Sequence, residues 1–167
     1  LRDASGNTVV FTDGGFIEST KKGAFAVVFP TRSMKSFIQH GMQVSGAVSS
    51  YEMELRAIWD ALRAVPVIMH LNIVTDSESS VNSIEERRQS EKVDTTPRYV
   101  ALLTKIRKEI ERRSACGTRT VLSFVYSHTR DERPAEDAAN KIEKLRKRYG
   151  ELAETYIRGN QIADMLV

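Results

Sequence analysis

Four carboxylates stand at positions from which they can act together. Asp13 follows the apolar, β-branched run Val9-Val10-Phe11-Thr12, and Asp76 follows the run Leu71-Asn72-Ile73-Val74-Thr75. Glu54 falls in the first turn of a predicted amphipathic helix, and Asp164 on a predicted helix near the carboxyl end. Taken singly, each has an ordinary role as a turn former, a helix cap or a partner of the helix dipole. Taken together, they form a set. In a mixed sheet the first and fourth strands are often neighbours, so Asp13 and Asp76 can meet at one edge, with Glu54 and Asp164 supplied by helices. Like charges gathered in this way raise one another's pKa values, and divalent cations remove that penalty. Mg²⁺ takes oxygen ligands, keeps several waters and suits substrates that carry phosphates. Two such ions about 4 Å apart hold an attacking water and a leaving oxygen in line at a phosphodiester. A zinc site of the usual spacing is excluded, because the chain has one cysteine, Cys116, and three scattered histidines, His40, His70 and His128.

The elements that must position these residues can be read from periodicity. Val9–Thr12 reads as a strand that turns at Asp13-Gly14-Gly15. Gly23–Phe29, stopped by Pro30, and Ser36–Val44 read as two more strands of an antiparallel meander. The period then changes. Leu55, Ile58, Leu62 and Val65 mark one helical face, with Ser49 and Ser50 as capping candidates. Leu71–Thr75 is a fourth strand, followed by a short helix near Ser79–Glu86 and a polar loop over Gln89–Pro97. Tyr99, Leu102, Leu103, Ile106 and Ile110 mark a further amphipathic helix that Gly117 ends, and Val121–Tyr126 is a fifth strand. From Pro134 to Ile157, the residues Ala138, Ile142, Leu145, Tyr149, Leu152 and Tyr156 recur at spacings of four and three, a seam that packs against this domain or a neighbour. Gly150 is placed to split this segment, and Gly159-Asn160 to open a last helix. The order predicts an α/β fold, with a five-stranded mixed sheet flanked by helices.

Bulk properties agree. The chain has 167 residues, enough for one domain with a sizeable core. No apolar run reaches eighteen residues, so no membrane partner is expected. The lone cysteine allows no internal disulfide and points to an intracellular, reducing compartment, cytoplasm or nucleus. The opening residues resemble no signal peptide, and the ends read as those of a single domain, 1–167, excised from a longer polypeptide. Net charge is +3, which permits nucleic-acid binding without demanding it. The charge is uneven. Lys105–Arg113 carries five basic and two acidic residues, and Lys141–Arg148 five basic and one acidic. The first stretch reads as a solvated face open to phosphate contact. For Lys144, Arg146, Lys147 and Arg148, a packing segment is the preferred reading and nucleic-acid contact the alternative.

The motifs FTDGG at 11–15, MEL at 53–55, TDS at 75–77, SHT at 127–129 and GNQIAD at 159–164 resemble type 1 ribonuclease H, from about residue 8 to the end apart from 130–157. Five motifs in the right order, each on its expected element, make a specific signal. The resemblance implies a ribonuclease H-like fold with an extra helical insert, about 130–157, before the last helix. It implies endonucleolytic hydrolysis of the RNA strand of an RNA/DNA hybrid. It assigns Asp13, Glu54, Asp76 and Asp164 to two Mg²⁺ ions, with Mn²⁺ as substitute, and His128 to proton transfer or product release. It places Gly14, Gly15, Ser50, Tyr51, Ser77 and Asn160 against the substrate, with the 2′-hydroxyl as discriminator.

The chain departs from the family at several points. Asp-Gly-Gly stands where a small hydroxyl residue is usual third. Ser50-Tyr51 replace asparagines that contact the hybrid. Asp164 follows His128 by thirty-six positions, and there is no tryptophan-rich basic handle. These features resemble ribonuclease H domains attached to reverse transcriptases of retroelements, especially the non-LTR type, which implies a reverse transcriptase domain in the same polypeptide. Two alternatives stand beside this reading. One is a nuclease of the same superfamily with other nucleic-acid specificity, and the other a non-catalytic binding or scaffolding module.

Overall fold

The computed structural model of the chain describes residues 1–86, 96–126 and 135–167. Three strands, β1 (Thr8–Ile17), β2 (Lys22–Pro30) and β3 (Phe37–Ser45), form an antiparallel meander. Helix α1 (Ser50–Ala64) then crosses to β4 (Leu71–Thr75), which lies parallel beside β1. Helices α2 (Glu78–Ile84) and α3 (Pro97–Ala115) lead to β5 (Thr120–Phe124), parallel to β4, and α4 (Ala135–Tyr149) and α5 (Leu152–Met165) complete the chain. The strand order β3-β2-β1-β4-β5 is the five-stranded mixed sheet that the sequence predicts.

Strand alternation sends successive side chains to opposite faces. Val10, Leu71 and Ile73 meet Leu55, Ile58, Leu62, Leu103 and Ile106 of α1 and α3 on one face. Val9, Phe11 and Val74 meet Leu145, Ala153, Tyr156 and Ile157 of α4 and α5 on the other. The 138–156 seam therefore closes on this chain's own sheet, and the Tyr149 hydroxyl donates to the Phe124 carbonyl at 2.7 Å. Ser49 caps α1, its hydroxyl accepting from the Glu52 amide at 3.1 Å. Among the described residues no helix is long and apolar enough to cross a membrane.

Three expectations need correction. Strand β1 does not turn at Asp13-Gly14-Gly15 but stays paired with β2 as far as Ile17. A Cβ on Gly14 would come closer than 3.0 Å to Met53 and to the Glu54 amide, so this glycine admits α1 rather than making a turn. Nor does Gly159-Asn160 open the last helix, since both lie inside α5. A Cβ on Gly159 would run into the Phe11 ring, so here too the glycine permits close packing. Gly150, at φ +62°, does end α4, and residues 152–157 of the expected insert belong to the last helix. Finally, α3 is not basic only on its solvent face. Arg113 is fully buried, and its guanidinium donates to the carbonyls of Leu62, Val65, Pro66 and Met69 at 2.7–3.3 Å. It thereby satisfies carbonyls that the end of α1 leaves open.

Candidate active site

The site forms where the first turn of α1 crosses the carboxyl ends of β1 and β4. Asp13 lies on β1 two residues beyond Phe11, and so on the sheet face covered by α5. Asp76 follows the last residue of β4, with the same parity as Val74. Glu54 is brought beside them because Gly14 lets α1 lie directly on β1. One carboxylate oxygen from each of Asp13, Glu54 and Asp76 lies within 4.8 Å of the others.

Two of the three groups are deprived of water, and Asp76 is half-buried. Asp13 is 2% exposed and Glu54 7%. Burial is the main cause that raises Asp13 to about 8, and the charge of Asp76 adds to it. Burial also raises Glu54 well above the carboxylate range, with Asp13 and Asp76 reinforcing it. Asp76 is raised by burial, partly offset by a hydrogen bond from Asn160. The Gly14 amide donates to Asp13 Oδ1 at 2.9 Å, yet Asp13 Oδ2 and Glu54 Oε2 are buried with no hydrogen-bond donor. Carboxylates that face one another without a donor need a shared proton or a cation between them. An all-oxygen donor set with two orphaned oxygens fits a hard divalent cation.

The other candidates fall into different places. Asp164 is exposed on the last turn of α5 and borders the cluster closely enough to raise Asp13 and Asp76, but it is not one of the three converging ligands. Asn160 is buried, 3% exposed, and holds Asp76 from the interior side. Ser77 caps α2, accepting from the Ser80 amide at 3.3 Å. Gly14 is covered by α1, and Gly15 lies against Val167. Ser50 is exposed. The Tyr51 hydroxyl donates to Ser83 Oγ at 2.7 Å, and its ring packs edge-on against Tyr99. His128 lies outside the described residues.

One supporting network escapes the sequence reading. Ser123 Oγ donates to Asn72 Oδ1 at 2.7 Å, while Asn72 Nδ2 donates to Asp3 Oδ2 at 2.9 Å and to the Tyr156 hydroxyl at 3.3 Å. It ties α5 to β4 and β5 beneath the site. The only available signal was one asparagine inside an otherwise apolar strand.

Comparison with known proteins agrees with this geometry. The N-terminal RNase H domain of rv2228c from Mycobacterium tuberculosis, solved as a fusion with maltose-binding protein, superposes with a TM-score of 0.54 at 15% identity. The match covers 70% of this chain and 85% of that one, and shows a shared fold. No curated protein sequence matches. The RNase H family model matches residues 5–145. That match takes in Asp13, Glu54, Asp76 and most of α4, and stops short of Asp164. Spanning most of the chain, it establishes that this protein belongs to the RNase H family.

Proposed function

We propose that the chain is an endonuclease that hydrolyses the RNA strand of RNA/DNA hybrids, using two divalent cations held by Asp13, Glu54, Asp76 and Asp164. The observation that carries this reading is the group of three carboxylates within 4.8 Å, two buried and one half-buried, two of whose oxygens have no donor. A structural carboxylate in the same helix turn finds cations within the chain, but this cluster leaves its charge for something outside it. When bound, the cations supply Lewis acidity and an activated water for attack on phosphorus. The chain's own part is to hold the ligands still. Gly14 seats Glu54 beside Asp13, the Gly14 amide fixes Asp13 Oδ1, and Asn160 fixes Asp76. Asp164, exposed at the rim, would complete the ligand set once a cation draws it in. His128 would move protons or release product, by family resemblance. The retroelement resemblance extends the proposal to a reverse transcriptase domain in the same polypeptide, acting inside the cell.

A second reading has one specific observation in its favour. Tyr51, at a position where many family members contact the hybrid through asparagine, is bonded to Ser83 and packed edge-on against Tyr99. A side chain so engaged offers the substrate less, which favours a nuclease of altered duplex specificity. One assay addresses both readings. End-labelled RNA/DNA hybrid, double-stranded RNA and double-stranded DNA are incubated with Mg²⁺, with Mn²⁺ or with EDTA. Metal-dependent cutting of the hybrid RNA alone supports the proposal, cutting of another duplex supports the second reading, and no cutting by folded protein leaves a non-catalytic module.

A further inference from the structure

We infer that the cavity between the carboxyl end of β5 and helix α4 is a subsite for the sugar-phosphate backbone of the nucleic-acid substrate. The inference rests on the nuclease reading, and extends it to a surface the carboxylates do not reach. The cavity measures about 350 Å³ and is lined by Tyr126, Lys144, Leu145, Lys147 and Arg148. Three cations surround it and, among the described residues, no carboxylate lines it.

These cations are held in place. Leu145 is 1% exposed in the core, and Tyr149 is bonded to the Phe124 carbonyl, so α4 presents them from a fixed helix. The neighbouring basic residues are engaged elsewhere. Arg146 pairs with Glu154 at 3.1 Å, and the Lys141 ammonium lies over the Tyr126 ring. Among the described residues no ion pair engages Lys144, Lys147 or Arg148, which leaves their charge for an anion.

The location selects the anion. Strands β4 and β5 are parallel and in register, Thr75 beside Phe124, so Asp76 and Tyr126 leave the sheet at the same edge. Helix α4 packs on the face to which Asp13 and Asp76 belong. From β1 across β4 to β5 is two strand spacings, about 10 Å, which matches about three base-pair steps of 3.4 Å along a nucleic-acid helix axis. A polyanion whose reacting phosphate lies at the carboxylates thus has further phosphates within reach of the cavity. Backbone contact is favoured over base contact, because the Tyr126 ring is already met by Lys141 and by Phe124 edge-on. Such contacts position a substrate without reading its sequence. The sequence alone favours a packing role for this segment. In the structure the apolar seam does pack, while its basic side faces the cavity.

The test compares wild type, K144Q/K147Q and K35Q/R63Q, which loses equal charge at residues that line neither the cavity nor the carboxylate cluster. Binding of labelled RNA/DNA hybrid is followed by anisotropy in EDTA across a salt series, and cleavage in Mg²⁺ is followed separately. The expected result is weaker binding by K144Q/K147Q, a salt slope shallower by about 2, a raised KM with kcat retained, and an unchanged Tm. K35Q/R63Q should match wild type. If wild type binds and cleaves while K144Q/K147Q is indistinguishable from it, the subsite is overturned and the nuclease stands. If wild type neither binds nor cleaves any nucleic acid, both are overturned.

Discussion

Glu52 and Glu54 are two residues apart on the same turn of α1, both buried, yet the chain surrounds their carboxylates with opposite charges. Each oxygen of Glu52 meets a cation: Arg56 Nε at 3.2 Å from Oε1, and Arg98 Nε at 3.1 Å from Oε2. The Val48 amide adds a bond at 3.1 Å. One oxygen of each glutamate, Glu52 Oε1 and Glu54 Oε2, lacks a hydrogen bond, but beside Glu52 stand arginines and beside Glu54 two other carboxylates. Arg113 follows the pattern of Glu52, fully buried with four carbonyls around its guanidinium. Where a buried charge serves the fold, the chain compensates it locally, because an unpaired one costs several kcal/mol. Where it is left uncompensated, a ligand has to complete it.

The sharpest way to break this contrast is to remove one carboxylate. Asp13→Asn should lower metal-dependent cleavage by on the order of 10³-fold or more, the several kcal/mol of charge stabilisation at stake in a metal site. A steady-state assay on the hybrid that found near-normal turnover would remove Asp13 from the chemistry. Next in size is the loss of a compensated charge. Arg113→Ala should cost about 3 kcal/mol in urea denaturation, since it orphans buried carbonyls at the end of α1, with little change in kcat.

The paired glutamates sharpen the contrast by sign. Glu52→Gln should destabilise the metal-free protein by about 1–2 kcal/mol. Glu54→Gln should leave it unchanged or stabilise it, because it relieves repulsion. Equal destabilisation by both, measured side by side, would mean that Glu54 is as well compensated as Glu52.

The smallest effect is a pH slope. Between the ordinary carboxylate range near 4 and the raised value of about 8 for Asp13, the native state holds more protons than the unfolded state. Stability of the metal-free protein should therefore fall as pH rises through that window. Melting curves from pH 5 to 8 should show a Tm that declines by several degrees, with the decline reduced by Mg²⁺ and by Asp13→Asn. A Tm that rose with pH in EDTA would contradict the geometry of the cluster.

Much of this protein was legible before any coordinates. Apolar periodicity placed five strands and the long helices, because a side chain's preference for the core repeats with the period of its own backbone. The FTDGG, MEL and TDS motifs marked Asp13, Glu54 and Asp76, since acidic residues at strand ends and in a first helical turn are local features. Glycine was misread twice. Gly14 and Gly159 looked like punctuation, but each is a place where a helix must touch a strand, and the partner atoms of Glu54 and Phe11 lie 40 and 148 residues away in sequence. Nor could the sequence show that Glu52 meets two arginines, or tell a buried Arg113 from its solvated neighbours. Residue type fixes the charge that a side chain brings. Whether that charge meets a cation, a carbonyl or another carboxylate depends on which distant elements pack against it, and only the tertiary structure decides that.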